Sequence, residues 1–589
     1  MKKSVKRGII TVIVVIVVLF IVIPFCCGFI LGSMMAEKET KVKENTVFVL
    51  KLSGTLSERG EDNPLGSLLG DETENLGLND ILTAIKKAKE NEKIHGIYIN
   101  AKTWVCDSPA SAQAIREALA DFKESGKWVI AYADTYTQSS YYICSVADKV
   151  CLNPAGMIMW RGMGAQPYFV KHLLAKVGIK MQTVKVGKYK SAVEMYTEEK
   201  MSDANREQVS VYINNIWDVM LADVSGSRGI SVEDLDSYAD GIVMTESPGS
   251  YVERGLVDTL VYRTAMNGIL ADLVGVEKED DVNTLGVSEM VRVKSKDKSD
   301  GGKIAVYYAY GTIVDSPTSG LASDACIASS DVIWDLKDLA EDDDVKAVVL
   351  RVNSGGGSAY ASEQIWQAMV DLKAKKPVVV SMGGYAASGG YYISCPANYI
   401  YAEPTTITGS IGIFGMFVDM SDLLTKKLEV KFDEVKTNRN STFGDPSRPF
   451  NSEELACLEE YIERGYSLFL TRVSMGRGMS VDSVNAIAQG RVWTGGDALG
   501  INLVDELGGL DEAVAKAASL AEIADYSIDT YPAKKDFFEQ LLEDMFGMSS
   551  IDVQLKEVLG EYYAPMMFIK EINNQNAIQA RMTDRIIFD

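Results

Sequence analysis

Residues 382–395 read Met-Gly-Gly-Tyr-Ala-Ala-Ser-Gly-Gly-Tyr-Tyr-Ile-Ser-Cys. The β-branched run Val378-Val379-Val380 leads into this stretch, and within it the apolar Tyr391-Tyr392-Ile393 follows the glycines. The pattern predicts a strand, a tight glycine turn and the start of a helix. Small neighbours of Ser388 would let a substrate backbone come close, and helix N-terminal amides can face a developing negative charge. Such a turn is typical of a displayed serine nucleophile, although glycine turns between strands and helices are common.

The bulk composition limits the class of protein. A chain of 589 residues is too long for one core, so we expect two or more domains. Its hydrophobic content of 47% and charged content of 24% are ordinary for folded protein. The net charge of −23 argues against nucleic acid as a partner.

The N-terminus predicts a membrane anchor. Basic residues within positions 1–7 precede an apolar stretch, 8–30, that carries no charge and is long enough to cross a bilayer as a helix. The acidic Glu37 and Glu39 that follow favour a cytoplasmic N-terminus. A cleavable signal peptide is the alternative, but no small-residue cleavage site is clear. We therefore expect an uncleaved anchor, with the rest of the chain outside the cytoplasm.

The cysteines and histidines give no metal or disulfide framework. Eight cysteines in an oxidising compartment could pair, but their spacing shows no CxxC motif or regular pattern. With only two histidines in the chain, a Cys/His metal site is disfavoured. We expect mostly buried free thiols.

An internal repeat organises most of the chain. The segment from His95 to about Leu260 resembles the segment from Ala347 to about Leu507, with matched positions mostly about 250 residues apart. The matched pairs are Gly96–Asn100 with Ala347–Arg351, Ser125–Ile130 with Lys375–Val380, Tyr141–Asp148 with Tyr391–Asn398, Asn153-Pro154 with Glu403-Pro404, and Gly255–Asp258 with Asn502–Asp505. Helical patterns such as Ser111–Glu124 and Ser362–Lys373 separate the strands, which predicts a duplicated α/β domain with parallel sheets and crossover helices.

The repeat predicts the domain organisation. We expect six segments along the chain: a basic N-terminus at 1–7, the anchor at 8–30, a first domain at 46–276, a polar linker at 277–302, a second domain at 303–535 and a tail at 536–589. The tail carries methionines among apolar residues and is either a packing arm or a membrane-surface segment, of which the arm is the favoured interpretation.

A serine nucleophile needs a base. His95 opens a buried strand and His172 lies in a helical run, so a Ser-His-Asp triad is poorly supported. A lysine is the known alternative. Burial must lower its pKa from about 10.4 by roughly 3 units, at a cost on the order of 4 kcal/mol, so we expect a lysine in a dry, apolar place.

Lys190 is the candidate base. It lies in a lysine-rich segment, 184–194, before the small pair Ser191-Ala192. A solvated edge strand with outward charges is the other interpretation of this spacing. In the matched segment of the second half, Asn440 takes the place of Lys190.

The turn around Ser388 has also changed in the other copy. Gln138, or Ser139 with a one-residue slip, stands opposite Ser388, and the flanking glycines are absent there. The first half thus keeps the lysine and lacks the serine, while the second half does the reverse. This pattern is expected if one site is shared across the two halves, and it predicts that neither half is active alone.

The chain resembles the long two-domain form of the signal peptide peptidase A family, also called protease IV. The motifs that carry the resemblance are Leu350–Ser358, Ala386–Tyr391, Thr408–Gly415, Lys188–Glu194 and Gly490–Gly495. The resemblance covers nearly all of the chain. It implies duplicated ClpP/crotonase-like domains and a serine peptidase that degrades cleaved signal peptides. It also implies a homotetramer anchored in the bacterial inner membrane, with its catalytic domains on the periplasmic side.

By position, the resemblance makes Ser388 the nucleophile and Lys190 the general base. The backbone amides of Gly356 and Gly389 would hold the oxyanion. Ser410 is either a residue that orients Lys190 or a turn or helix-cap serine. The family's usual proline is replaced by Gly355, which loosens the loop but keeps its amides. No metal or cofactor is needed.

Two other classes of function stay open. A crotonase-type acyl-transfer enzyme would share the fold, but an extracytoplasmic location, where coenzyme A is absent, counts against it. A catalytically idle membrane scaffold would share the anchor, but the retained Ser388 and Lys190 count against that interpretation.

Overall fold

A computed structural model describes residues 39–60, 76–294, 301–317, 325–533, 577–582 and 588. The expected anchor at 8–30 lies outside these residues, as does most of the tail. Within the described ranges, no helix is both long and apolar enough to cross a bilayer.

The first half is built on a seven-stranded sheet in which all paired strands are parallel. Helices cover the sheet, so its long central strands are buried and rich in aliphatic residues. Across the sheet the strands are Leu76–Gly77, Thr46–Ser57, Ile94–Val105, Trp128–Tyr136, Lys149–Ile158 and Thr259–Leu260, with Asn283–Leu285 also paired to Thr46–Ser57. The α-helices are Leu78–Glu90, Pro109–Lys123, Gln138–Cys144, Lys171–Val177, Glu194–Thr197, Asp203–Arg228, Val232–Asp240, Pro248–Glu253, Met266–Val274 and Val287–Val291.

The second half repeats this plan on an eight-stranded sheet, in which one pair of strands is antiparallel. Its main path runs through Val492–Thr494, Ile407–Gly409, Val378–Ala387, Val345–Ser354, Lys303–Tyr310 and Ser527–Tyr531, with Tyr399–Ala402 and Glu506–Leu507 beside it. The helices are Ser329–Glu341, Ala359–Lys373, Gly389–Ser394, Ser452–Arg477, Val481–Ile487, Gly495–Gly500 and Leu510–Leu520, with a π-helix at Leu423–Lys427. The predicted α/β duplication with parallel sheets is confirmed.

The repeat extends to individual interactions. Each half has a 26-residue helix, Asp203–Arg228 or Ser452–Arg477, which ends at a left-handed glycine. The last residue of the first helix, Arg228, forms an ion pair with Asp258, and the last residue of the second, Arg477, does so with Asp505. Each aspartate also accepts a hydrogen bond from the backbone amide of a strand residue.

A third sheet joins the two halves. It has six strands, in the order Cys326–Ala328, Thr312–Val314, Gly356–Ser358, Ile578–Arg581, Phe414–Asp419 and Lys180–Lys185. Its last strand comes from the first half and pairs antiparallel with a strand of the second half. This pairing carries the chain of the first half towards the turn at Ser388.

Part of the expected linker packs on the first half instead. Asn283–Leu285 pairs with the edge of Thr46–Ser57, and Val287 and Met290 of the next helix are buried. The polar composition that predicted a linker hides these few apolar positions, so the first half extends into the 277–302 segment.

Candidate active site

Ser388 stands in a sharp turn between Val378–Ala387 and Gly389–Ser394. Its backbone angles are φ 56° and ψ −113°, which residues other than glycine rarely adopt, so the surroundings must hold it there. A Cβ on Gly390 would come within 2.5 Å of the Ser354 carbonyl oxygen. Glycine is therefore needed for the helix to start so close to the neighbouring strand.

Lys190 reaches this turn from the first half. The strand Lys180–Lys185 pairs with Phe414–Asp419, and the chain then passes against Gly490. A Cβ on Gly490 would lie 2.6 Å from the Lys190 nitrogen, so only glycine lets the two backbones meet. Lys190 is 1% exposed, which excludes a solvated, outward-facing side chain at this position.

The lysine amine is surrounded by serine oxygens. Lys190 Nζ donates to Ser388 Oγ at 2.6 Å, to the Ser410 carbonyl oxygen at 3.0 Å and to Ser410 Oγ at 3.1 Å. Both serines are buried. The structure therefore brings together three of the residues predicted from the sequence, and the first contact spans 198 residues of the chain.

Burial sets the charge of this lysine. Desolvation lowers the pKa of Lys190 to about 7, because the site stabilises the ammonium poorly. A large fraction of the side chain is then neutral near pH 7 and has a lone pair that can accept a proton. This value matches the requirement derived from the sequence.

Gly356 and Gly389 lie side by side near the serine. A Cβ on Gly356 would come within 2.7 Å of the Gly389 nitrogen, and Gly356 itself has φ 96°. The Gly356 amide donates to Ser354 Oγ at 3.1 Å. A Cβ added to Gly356 would lie 2.0 Å from the Ala580 carbonyl oxygen, and one added to Gly389 would lie 3.1 Å from the same oxygen. The carbonyl of Ala580 therefore packs against both glycines.

A strand from the tail occupies the groove beside these glycines. Ile578–Arg581 runs antiparallel to both Gly356–Ser358 and Phe414–Asp419. At one end, the Met582 amide donates to the Gly355 carbonyl oxygen at 2.8 Å. The groove therefore accepts an extended peptide as an added strand.

A buried polar cluster from the first half supports the glycine loop. Arg351 Nε donates to Glu58 Oε1 at 2.7 Å, and Asn353 Nδ2 donates to Glu58 Oε2 at 2.9 Å and to Asp107 Oδ2 at 3.3 Å. Asn353 Oδ1 accepts from the Tyr385 amide at 3.1 Å. Burial raises the pKa of Asp107 to about 6. Arg351 and Asn353 lie in the motif Leu350–Ser358, but no motif in the sequence indicated their first-half partners Glu58 and Asp107.

Replacing Glu58 with alanine is expected to lower the thermal unfolding midpoint by about 5 °C or more. The change leaves Arg351, which is 3% exposed, as an uncompensated buried charge, a loss of about 3–5 kcal/mol. The matched control is Lys86→Ala, which removes an exposed ion pair, with Asp511, that also spans the two halves. That change should cost about 1 kcal/mol or less, and equal midpoints for the two variants would contradict the expectation.

The first half retains the strand-to-helix connection but neither the strained backbone of the turn nor its serine. The strand pairing Thr135–Met157 corresponds to Tyr385–Ile407 of the second half. This register puts Gln138, not Ser139, at the position of Ser388. Gln138 is buried in the first turn of an ordinary helix, and its Nε2 donates to the Gly162 carbonyl oxygen at 3.0 Å.

The remaining candidates lie elsewhere. Asn440 is exposed, as is His172, whose Nε2 lies 3.0 Å from Glu199 Oε1. His95 lies in the strand Ile94–Val105. Six cysteines lie in the described part of the chain, and four of them are buried.

Two packed α/β halves with a buried serine at a strand-to-helix turn define a serine hydrolase built by duplication. The profile of peptidase family S49 matches residues 121–277 and 370–524, one match in each half. A Clp protease profile matches residues 323–406. The chain belongs to peptidase family S49, and it is a serine peptidase with a Clp protease-like fold.

Curated relatives agree over most of the chain. Protease 4 of Salmonella typhi is 36% identical over 529 residues, which cover 87% of this chain and 84% of that protein. Protease 4 of Haemophilus influenzae is 34% identical, covering 84% and 83%. The chloroplastic serine protease SPPA of Arabidopsis thaliana is 31% identical, covering 82% and 70%. The family resemblance drawn from the motifs is confirmed.

Proposed function

We propose that this chain is a membrane-anchored serine endopeptidase that degrades cleaved signal peptides and similar apolar peptides. Ser388 is the nucleophile and Lys190 the general base. The observation that carries the proposal is the 2.6 Å contact between Lys190 Nζ and Ser388 Oγ, made between buried groups of different halves.

The contacts support a two-step acyl-enzyme mechanism. Neutral Lys190 donates its two N–H groups to Ser410 and accepts the Ser388 proton as Oγ attacks the peptide carbonyl. The amides of Gly356 and Gly389 hold the oxyanion, the first by exchanging its bond to a serine side chain for one to the substrate. Lys190 then protonates the leaving amine, and water attacks the ester by the same route.

Peptide substrates bind as the tail strand does. Strand addition uses main-chain hydrogen bonds, so it tolerates many sequences. Ile578 packs on the core of the second half and Met582 on the core of the first half. Apolar contacts at both ends of the groove favour apolar peptides such as signal-peptide cores.

A fluorophosphonate probe tests the dyad. Labelling of the full chain should disappear in Ser388→Ala and fall strongly in Lys190→Ala. Ser139→Ala, which changes a buried serine beside the corresponding turn of the first half, is the matched control and should label like the parent chain. Labelling that survives Ser388→Ala would remove the basis of the proposal.

The substrate class and the location need separate tests. The enzyme should degrade a synthetic apolar signal peptide faster than a polar peptide of equal length, and equal rates would contradict the substrate assignment. In a bacterial host, the full chain should remain in the inner membrane after carbonate washing. Protease added to spheroplasts should digest both halves if they lie on the periplasmic side.

The pH profile follows from the state of Lys190. Because its pKa is about 7 and only the neutral amine accepts a proton, kcat/KM should rise about tenfold from pH 6 to pH 8 and then level off. Initial rates with one peptide substrate would measure this, with circular dichroism at each pH as a control for folding. A flat profile across this range would contradict the assigned base.

The second half carries an exposed arm, residues 428–443, that supports a head-to-tail homotetramer. The corresponding segment of the first half packs on the second half and carries Lys190. The arm instead exposes apolar side chains, among them Leu428, Phe432, Val435 and Phe443. Packing on the first half of the next copy would cover them, and heterologous contacts of this kind close into a ring where the rotation between copies allows closure.

The assembly can be measured by light scattering. The double change Phe432→Asp and Val435→Asp should yield monomers, whereas Val481→Asp, at another exposed apolar position of this half, should not. A tetramer that survives the double change would exclude the arm as the contact.

A further inference from the structure

A buried glutamine binds the segment that carries Lys190 on both sides of the lysine. Gln208 lies on the 26-residue helix of the first half and is 1% exposed. Its Nε2 donates to the Tyr189 carbonyl oxygen at 3.0 Å and to Ser191 Oγ at 3.2 Å. The same group donates to Asn205 Oδ1 at 3.1 Å. The residues directly before and after Lys190 are therefore bound by one side chain.

The other end of the same side-chain amide binds the second half. Gln208 Oε1 accepts from the Val492 amide at 3.2 Å, across 284 residues of the chain. A backbone amide can only donate and a backbone carbonyl can only accept, so these partners fix the direction in which the Gln208 amide points. The strand Val492–Thr494 pairs with Ile407–Gly409, which leads directly into Ser410. Gln208 therefore joins the lysine-bearing segment to the strand pair beside Ser410.

The second half holds the partner of the lysine amine through the same loop. The Ser410 amide donates to the Arg491 carbonyl oxygen at 2.7 Å, next to the residue that Gln208 binds. Ser410 in turn accepts from Lys190 Nζ through its carbonyl oxygen and its hydroxyl. The contacts of Gln208 thus reach both ends of Lys190, its backbone and the serine that its amine contacts.

An ion pair beside Gln208 spans the same two elements nearer the surface. Arg491 Nη1 lies 3.2 Å from Glu207 Oε1, and it donates to the Tyr189 hydroxyl at 3.0 Å. The Glu207 side chain is 50% exposed, so water screens this pair, and it fixes the position of the segment only weakly. The Gln208 amide is shielded from water, and loss of its bonds would leave buried polar groups without these partners.

We propose that Gln208 is a positioning residue for Lys190, which holds the lysine amine at the two serines and keeps water away from it. The importance of this role for catalysis rests on the proposed function, in which Lys190 is the base. Gln208 acts through the backbone on either side of Lys190 and through the strand pair beside Ser410. A displacement of about 1 Å at a catalytic group can cost about 10²-fold in rate, so such a link bears directly on activity.

The pH dependence of kcat/KM tests this role. Gln208→Ala leaves a space beside the Tyr189 carbonyl and the Val492 amide, which water can fill. Better solvation favours the ammonium, so the pKa of Lys190 should rise, and the midpoint of the profile should move from about 7 to about 8 or above. At pH 7, kcat/KM should fall about fivefold or more. A mere loss of folded enzyme would lower the whole profile and leave its midpoint in place.

Asn215→Ala is the matched control. Asn215 lies on the same helix and its Nδ2 donates to Asp497 Oδ2 at 2.6 Å, so this variant also removes a hydrogen bond between the halves. Its midpoint should not move. Gln208→Met fills a similar volume but makes none of the bonds, so it should move the midpoint in the same direction, and it serves where Gln208→Ala does not fold. An unchanged midpoint in a folded Gln208 variant would overturn the positioning role.

Chemical labelling separates this role from the proposed function, because it needs no activity. Lys190 is buried, so at pH 9 acetic anhydride should acetylate it slowly in the parent chain and at least about tenfold faster in Gln208→Ala, as measured by mass spectrometry. A parent profile that is flat between pH 6 and pH 8 would overturn the proposed base. The labelling would still decide the role of Gln208, since equal acetylation of Lys190 in the two chains would overturn it.

Discussion

A chain with Lys190 replaced by methionine is expected to lose about 10²- to 10⁴-fold in kcat, the range that general-base catalysis contributes. Methionine fills a similar volume but has no lone pair of comparable basicity. Ser388 Oγ would then keep its proton, since Lys190 Nζ is the group that contacts it. Initial rates at saturating peptide would measure the loss.

The fold should survive this change. Near pH 7 the site already holds about half of this amine in its neutral form, so the main cost of an apolar side chain of similar shape is the lost hydrogen bonding to Ser388 and Ser410, about 1–3 kcal/mol. Lys188→Met is the matched control, because Lys188 is exposed two positions earlier. Its kcat should stay within about twofold of the parent value. Equal losses of kcat in the two variants would mean that any substitution in this segment lowers activity, and would remove the special role of the Lys190 amine.

Replacing Gly356 with alanine keeps the backbone N–H but is expected to displace it, and kcat should fall by about 10²- to 10³-fold, as on loss of an oxyanion donor. The new methyl group would stand 2.7 Å from the Gly389 nitrogen, in the space where a substrate carbonyl meets both amides. Its φ of 96° would also strain any residue with a Cβ. Single-turnover acylation with an ester substrate would measure the chemical step directly.

Gly355→Ala provides the control for this experiment. A Cβ at Gly355 would meet only the Met582 carbonyl oxygen, at 3.4 Å, and the backbone there is not left-handed. Acylation in that variant should stay within about threefold of the parent rate. A loss as large as that of Gly356→Ala would show that the whole loop is sensitive and would remove the special role of Gly356.

The turn at Ser388 could be predicted because its causes are local. A β-branched run, small residues and an apolar helix start lie within a few positions of one another. The contact between Ser388 and Lys190 could be predicted only because the chain is duplicated. The first half keeps the lysine and lacks the serine, and the second half keeps the serine and lacks the lysine. The structure adds the distance between Lys190 Nζ and Ser388 Oγ and the burial of both side chains. It also shows that Gln138, and not Ser139, corresponds to Ser388.

The long-range contacts and short strands outside the turn could not be predicted from local sequence patterns. Glu58 meets Arg351 across 293 residues, and a single glutamate at the end of a strand carries no pattern that names its partner. The strand Ile578–Arg581 is held mainly through its backbone, which every sequence shares. The short strand Asn283–Leu285 was missed because none of its three residues is buried.

The separation of Lys190 and Ser388 along the chain has a consequence during synthesis. When a ribosome has translated Lys190, it must still add 198 residues before Ser388 exists. At an elongation rate of about 5–20 residues per second this takes about 10–40 s, during which the contact between the two side chains cannot form. The order of the two residues along the chain thus delays the contact between them until the second half is being made.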